Sequence, residues 1–221
     1  MIEAVLFDLD ETLLDRTGSL RAFLADQYTR HSARLGDVPM PVWRDRFLTL
    51  DRRGMVHKSV VYAALLAEFG GDTDAADPLL ADYRARCPDF ARPIDGMEMV
   101  LRELRARRLP LGIVTNGETA FQSAHIRALG IDRLVDTVLI SEAEGLRKPE
   151  AALFLRAADR LGVAPAQCLF VGDNPVADVM GATRAGMQGV WLREEGQDWP
   201  VDLSPPGGSI SGLAELLEML S

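Results

Sequence analysis

Five short apolar runs, at residues 4–7, 111–114, 138–140, 168–171 and 189–192, alternate with segments whose apolar positions recur every three or four residues. That alternation predicts repeated β-α units around a parallel sheet, an α/β fold. The helical segments carry their own start and stop signals. Asp95 stands where it can cap a helix, Glu98 follows three residues later to return the hydrogen bond, and Met97, Val100, Leu101 and Leu104 form one stripe. Residues 120–129 repeat the pattern and stop at Gly130, and residues 151–161 stop at Gly162. Pro175 suits the first turn of another helix, which Gly186 ends, and a last helix near 212–220 follows the breaker stretch from Ser204 to Gly208.

About a hundred residues separate the first run from the second, far more than one crossover helix requires. From about Asp15 to Arg92 no strand pattern is found. Leu20, Phe23, Leu24, Gln27 and Tyr28 recur with helical spacing, as do Val60, Val61, Ala64, Leu65 and Ala67. The expected organisation is a core made of residues 1–14 and 93–221, with a small helical bundle of residues 15–92 carried above the first strand and a return hinge near Arg92-Pro93. Trp43, Phe47 and Tyr62 are expected in the core of that bundle.

The chain of 221 residues is long enough for one substantial core and a smaller accessory domain. No apolar run approaches the roughly 18–20 residues of a membrane span, and the amino terminus runs into an acidic strand end where a secretory signal would have its apolar stretch. Cys87 and Cys168 lie far apart and are expected as buried thiols, which fits a reduced cytoplasmic setting. A formal net charge of −9, spread along the chain, argues against a nucleic-acid polymer or an anionic membrane as partner. A small anionic substrate would have to be drawn by local charge alone.

Four polar segments follow the strand-like runs. In an open parallel sheet, ligands gather at the carboxyl ends of the strands, so these segments are expected to converge. Asp8 closes the first run and can act as a carboxylate nucleophile toward phosphorus. Asp10 can then protonate a leaving alcohol and deprotonate an attacking water. Taken alone, the pair reads first as a turn or a helix cap. Asp173 and Asp178 follow the fourth run, and with Asp8, and Asp10 beside it, they make the hard oxygen cluster that Mg²⁺ prefers; Asp178 by itself would also suit a helix first turn. Thr115 and the amides of Asn116 and Gly117 open a helix after the second run, where an anion is favoured. Lys148, followed by Pro149, offers a point charge for transferring oxygens.

The stretch from Phe7 through Asp8, Asp10 and Thr12 to Leu13, Thr115-Asn116-Gly117, Lys148-Pro149, and Gly172-Asp173 with Asp178 resemble the four ordered motifs of the haloacid dehalogenase superfamily of hydrolases. The resemblance spans essentially the whole chain. It implies a Rossmann-like core with helices on both faces, the helical insertion as that family's cap, and Mg²⁺ dependence. It also implies Asp8 as nucleophile and Asp10 as acid/base, phosphoryl contacts from Thr115, Asn116 and Lys148, and metal contacts from Asp173 and Asp178. Glu11 stands where the first motif often has glycine, a change in the turn beside the site. The family's dehalogenases typically lack an acid at the position of Asp10, so phosphoryl transfer is the expected reaction. A phosphomutase or 2-haloacid dehalogenase on the same fold, and a non-enzymatic phospho-ligand binder, are the alternatives.

The expected partner is a small phosphorylated metabolite such as a sugar phosphate, a phosphoglycolate-like acid or a mononucleotide, bound by a monomer or homodimer. Arg16, Arg52, Arg53, His57 and Lys58 of the insertion are its candidate leaving-group contacts, against the plainer reading of a solvated charged surface. A receiver-type signalling domain fails on motif order and on length. His31 and His125 have no metal-ligand spacing and no assigned role.

Overall fold

The computed structural model describes residues 1–220; Ser221, which ends the expected core segment, lies outside the described residues. The chain divides into two compact units, one gathering residues 1–15 with the chain from Arg92 onward, the other residues 16–91.

The order begins with β1 (Ala4–Phe7) and passes into four helices: α1 (Arg16–His31), α2 (Met40–Asp51), α3 (Lys58–Phe69) and α4 (Ala76–Arg86). It returns through α5 (Met97–Ala106), β2 (Leu111–Thr115), α6 (Thr119–Ala128), β3 (Thr137–Ile140), α7 (Ser141–Glu144) and α8 (Ala151–Leu161). Then come β4 (Cys168–Gly172), a π-helical turn at Pro175–Met180, α9 (Gly181–Arg184), β5 (Gln188–Leu192), β6 (Gly208–Ile210) and α10 (Glu215–Met219).

Six parallel strands in the order β3-β2-β1-β4-β5-β6 form a Rossmann-like α/β core. Every residue of β1, β2 and β4 is buried, as strands covered on both faces require. On one face Ala4, Leu6, Val114, Leu139, Cys168 and Phe170 pack with Leu153, Phe154 and Ala157 of α8 and Ala182 of α9. Phe154 meets Phe170 edge-on, ring centroids 4.9 Å apart, a geometry that contributes about 0.5–1.5 kcal/mol beyond area burial. Toward the other side, α5 buries Met97, Val100, Leu101 and Leu104 and lies against β2.

Strand order reverses at β1, whose neighbours are β2 and β4, and such a switch point opens a crevice at the strands' carboxyl ends. The register fixes its depth: Phe7 pairs with both Ile113 and Val171. Within this unit the two chain crossings are tied together, with the Asp15 amide donating to Arg92 O (2.9 Å) and the Ile94 amide to Leu13 O (2.9 Å).

Two local expectations fail. Residues 208–210, at the end of the breaker stretch 204–208, form a sixth strand on the edge of the sheet that the pattern did not predict, and the final helix is only Glu215–Met219. At α5 the residue preceding the first turn is Gly96, with φ 80°, so Asp95 falls one position too early to cap.

The helical unit has a core of its own. Trp43, Phe47 and Tyr62 are fully buried, with Phe47 edge-on to Tyr62 at 5.2 Å. The Tyr62 hydroxyl donates to Gln27 Oε1 (2.7 Å), and Gln27 Nε2 donates to Leu79 O (3.0 Å) and Asp82 Oδ2 (2.9 Å). Aromatic bulk makes these core residues, with the Tyr62 hydroxyl satisfied through Gln27 and Trp43 Nε1 buried without a hydrogen-bond partner among the described residues. Cys87 and Cys168 are both free and buried, and burial pushes the Cys168 thiol up to about 11.

Candidate active site

The Asp8 amide donates to Val171 O (2.9 Å), extending the β1–β4 ladder by one residue, so the carboxylate emerges at the switch point. The chain then tightens, and Leu9 O receives the amides of Leu13 (2.9 Å) and Leu14 (2.8 Å). Glu11 sits in this turn at φ 58°. A left-handed conformation costs a non-glycine residue roughly 1–2 kcal/mol, which is the physical reason a glycine suits this position.

Beyond β4, Asn174 Oδ1 accepts the amides of Val176 (3.0 Å) and Ala177 (2.9 Å), starting the π-helical turn that carries Asp178. Asp178 Oδ2 accepts the Asn174 amide (2.9 Å) and folds back against Gly172, where a Cβ would lie 2.5 Å from three Asp178 atoms. Glycine at 172 is therefore what lets Asp178 approach. The main chain of Asp173 is held from β5, where Trp191 Nε1 donates to Asp173 O at 2.9 Å. Trp199 packs edge-on against Trp191, centroids 5.3 Å apart.

Lys148 is nearly sealed from solvent, 4% exposed, and its Nζ donates to Asp8 Oδ1 (2.5 Å) and Asp178 Oδ1 (2.7 Å). The Asn116 side chain brackets the Lys148 backbone, donating from Nδ2 to Lys148 O (3.1 Å) and accepting the Lys148 amide at Oδ1 (2.9 Å). Asn116 thus spends its side chain on placing Lys148, an engagement separate from its main-chain amide, the group expected to face an anion. The Gly117 amide is also engaged, donating to Ser141 Oγ (3.0 Å).

Asp8, Asp173 and Asp178 each offer a carboxylate oxygen within 4.8 Å of the others. Two buried acids, with the half-buried Asp173 beside them, gather around the Lys148 ammonium. Burial pushes the Asp8 carboxyl well up, Lys148 opposes this, and Asp178, Asp173 and Asp10 add to the rise. Burial works against the charge on Lys148 too, but Asp178 and Asp8 outweigh it and hold the ammonium above the ordinary lysine range. A divalent cation with a preference for hard oxygens would supply the missing positive charge, so the donor set fits Mg²⁺. Asp10 stands apart from these three, its carboxylate engaged by a residue that sequence reasoning passed over.

That residue is Gln122 of α6, 2% exposed. Its Nε2 donates to Asp10 Oδ2 (3.0 Å) and Thr115 Oγ1 (2.9 Å), with Asn116 O at 3.4 Å. Its signal in the sequence was a polar residue on the same stripe as His125 and Ile126, the face that α6 buries. Trp191 was missed because an aromatic residue in an apolar strand reads as core.

In the helical unit, Arg16 Nη2 reaches Asp51 Oδ2 at 2.8 Å and Lys58 Nζ pairs with the other Asp51 oxygen. The Gly54 amide also donates to Asp51 Oδ2 (2.8 Å). Burial works to raise the Asp51 carboxyl, but Arg16 and Lys58 together hold it below its ordinary value. Arg52 and Arg53 are exposed on the left-handed turn after α2, at φ 49° and 57°. His57 caps α3, its Nδ1 accepting the Ser59 amide at 3.3 Å. The five candidate contacts thus separate into an Asp51-centred pair, an exposed turn and a helix cap.

Parallel β-α topology, with acids and a buried lysine gathered at its switch point, defines a Rossmann-like hydrolase site. The family model described as haloacid dehalogenase-like hydrolase matches residues 2–186, and the chain belongs to that family. It is 32% identical over 205 residues to a glyceraldehyde 3-phosphate phosphatase of Methanopyrus kandleri, covering 87% of this chain and 84% of that protein. It is 33% identical over 208 residues to a phosphoglycolate phosphatase of Xanthomonas campestris, covering 90% and 87%. Among solved structures, the HAD-type protein YfnB of Bacillus subtilis, bound to magnesium, superposes with a TM-score of 0.82 at 25% identity, covering 100% of this chain and 99% of that one. Together the family and its phosphatase-named members support a phosphoric monoester hydrolase.

Proposed function

We propose that this protein is a Mg²⁺-dependent phosphatase that hydrolyses a small phosphate monoester through an aspartyl-phosphate intermediate. The observation that carries the reading is the convergence of Asp8, Asp173, Asp178 and Lys148 at one strand-end crevice, with Asp10 two residues from the nucleophile.

Asp8 attacks phosphorus as the ester P–O bond breaks, and Asp10 gives its proton to the departing alkoxide. A water then attacks the aspartyl phosphate, losing a proton to Asp10, and the Asp8–phosphorus bond breaks to release inorganic phosphate. Lys148 and the Thr115 hydroxyl serve the phosphoryl oxygens. Held by Asp8, Asp173 and Asp178, Mg²⁺ would shield the approaching anions from one another. Asp10 belongs to the proton transfers, with its carboxylate outside that set. The choice of leaving group falls to the helical unit, through Arg16, Arg52, Arg53, His57 and Lys58.

Relatives named for triose phosphate, phosphoglycolate, phosphoserine and pyrimidine nucleotides support a small phosphorylated metabolite as substrate. No helix among the described residues is long and apolar enough to cross a membrane, in keeping with a cytoplasmic role.

The test is phosphate release from a panel of such esters, with Mg²⁺ and with chelator, by wild type and Asp8→Asn. Release that needs Mg²⁺ and vanishes in Asp8→Asn is expected. Undiminished turnover by Asp8→Asn would overturn the proposal, and an isomerised ester in place of free phosphate would replace it with a mutase.

A further inference from the structure

We propose that Gln122 is a positioning residue that sets two functional groups at once, Asp10 for proton transfer and the Thr115 hydroxyl for a phosphoryl oxygen. The proposal rests on the phosphatase reading above and extends it to a side chain outside the four motifs.

A carboxamide has two N–H protons, and those of Gln122 face Asp10 Oδ2, Thr115 Oγ1 and, at longer range, Asn116 O. The opposite amide orientation would set Oε1 against the Asp10 carboxylate, two acceptors in contact. The orientation is therefore fixed by its neighbours. Gly117 makes room for it, since a Cβ there would lie 2.8 Å from Gln122 Cγ.

Two consequences follow from the direction of donation. A hydroxyl has one proton, and Thr115 Oγ1 receives the bond from Gln122. Its own proton has no acceptor among the described residues and is left for an incoming anionic oxygen. At Asp10, the bond pins Oδ2 as an acceptor, so the proton exchanged with leaving group and water is carried on Oδ1. Without Gln122 the Asp10 carboxyl would lose its only hydrogen-bond donor among the described residues, and with it a fixed rotamer.

A positioning role toward the acid has a signature that general loosening of the fold lacks. An ester with an acidic leaving alcohol needs little protonation, whereas an alkyl ester depends on it. The experiment measures kcat/KM, which reports the steps through phosphoryl transfer to Asp8, for p-nitrophenyl phosphate and for an alkyl phosphate from the active panel. Gln122→Met keeps volume and removes both donors. Gln122→Leu also removes both donors, without the thioether, and covers the case in which methionine disturbs packing.

We expect both variants to lose at least about tenfold more on the alkyl ester than on p-nitrophenyl phosphate, a fraction of the roughly 10²–10⁴ that general acid catalysis provides. Asp10→Asn should show the same bias, and combining it with Gln122→Met should add none. Equal losses on the two esters in both Gln122 variants, with Asp10→Asn still biased, would overturn the role of Gln122 and leave the phosphatase reading intact. An unbiased Asp10→Asn, or a wild type that releases no phosphate from any ester, would overturn the acid/base assignment and this inference with it.

Discussion

Alanine at position 172 tests how tightly the acidic cluster is built. An ideal Cβ there lies 2.5 Å from Cβ, Cγ and Oδ2 of Asp178. Ordinary carbon contacts run to about 3.5–4.0 Å, so the overlap is about 1 Å. It falls on a side chain that is 1% exposed and held at both oxygens, by Lys148 Nζ and by the Asn174 amide. Asp178 can yield only by breaking one of those bonds. Overpacking of this kind costs about 1–3 kcal/mol of stability, and moving one member of a catalytic set by about 1 Å costs on the order of 10²-fold in rate. Gly172→Ala should therefore lower kcat/KM by about that factor and demand more Mg²⁺ for half-maximal activity, with a smaller fall in the denaturation midpoint. Activity within about threefold of wild type at unchanged stability would refute the close-approach argument, because the clash would then have been absorbed without moving Asp178.

Three further outcomes are expected. Lys148→Met strands Asp8 and Asp178 against each other; losing one partner of a buried ion pair costs about 3–5 kcal/mol, and denaturant titration in chelator should show it, partly recovered with Mg²⁺. Wild-type stability in chelator would contradict this. Asp51→Asn should destabilise the chain at neutral pH, since Arg16 and Lys58 lose their shared acceptor charge. A depressed carboxyl contributes above its unfolded value near 3.9 and loses that contribution as pH falls through its lower folded value. The gap between wild type and Asp51→Asn should accordingly hold steady above about pH 5 and close below the ordinary carboxylate range; a gap independent of pH would rule out the ion pair as its source. Trp191→Phe removes the donor on Asp173 O, and calorimetric titration should find Mg²⁺ bound about 10-fold more weakly, the low end for loss of an outer hydrogen bond. An unchanged Kd would sever that link.

The strands and the acids at their ends were legible because both follow from local composition. A run such as residues 168–171 is apolar enough to be recognised alone, and Asp173, two residues after it, can only sit at its carboxyl end. Convergence then follows from topology, although the segments are widely separated in sequence. What stayed hidden depends on contacts across that separation. Gln122 looks like an imperfection in a helix stripe until Asp10 and Thr115 are beside it. The bracket that the Asn116 side chain forms on the Lys148 backbone joins two segments far apart in sequence and has no local signal. The third strand of the β4-β5-β6 edge lies in a segment rich in proline and glycine and pairs through only three residues, too few to outweigh its breakers. Asp95 failed as a cap by one position, since Gly96 adopts the left-handed turn that starts α5.

The central place of β1 has a consequence for how the chain is made. β1 is flanked by β2 on one side and β4 on the other, and all four of its residues are buried. At a synthesis rate of about 5–20 residues per second, Cys168 leaves the ribosome on the order of ten seconds after Ala4. For that interval a bare apolar strand waits for its second neighbour. The helical unit has no such delay, because every residue that buries Trp43, Phe47 and Tyr62 within it lies between 16 and 91. Biogenesis therefore runs opposite to reading order: the insertion can be finished while the strand that precedes it is still unpaired, and the nucleophile-bearing strand gains its second neighbour only when β4 has been made.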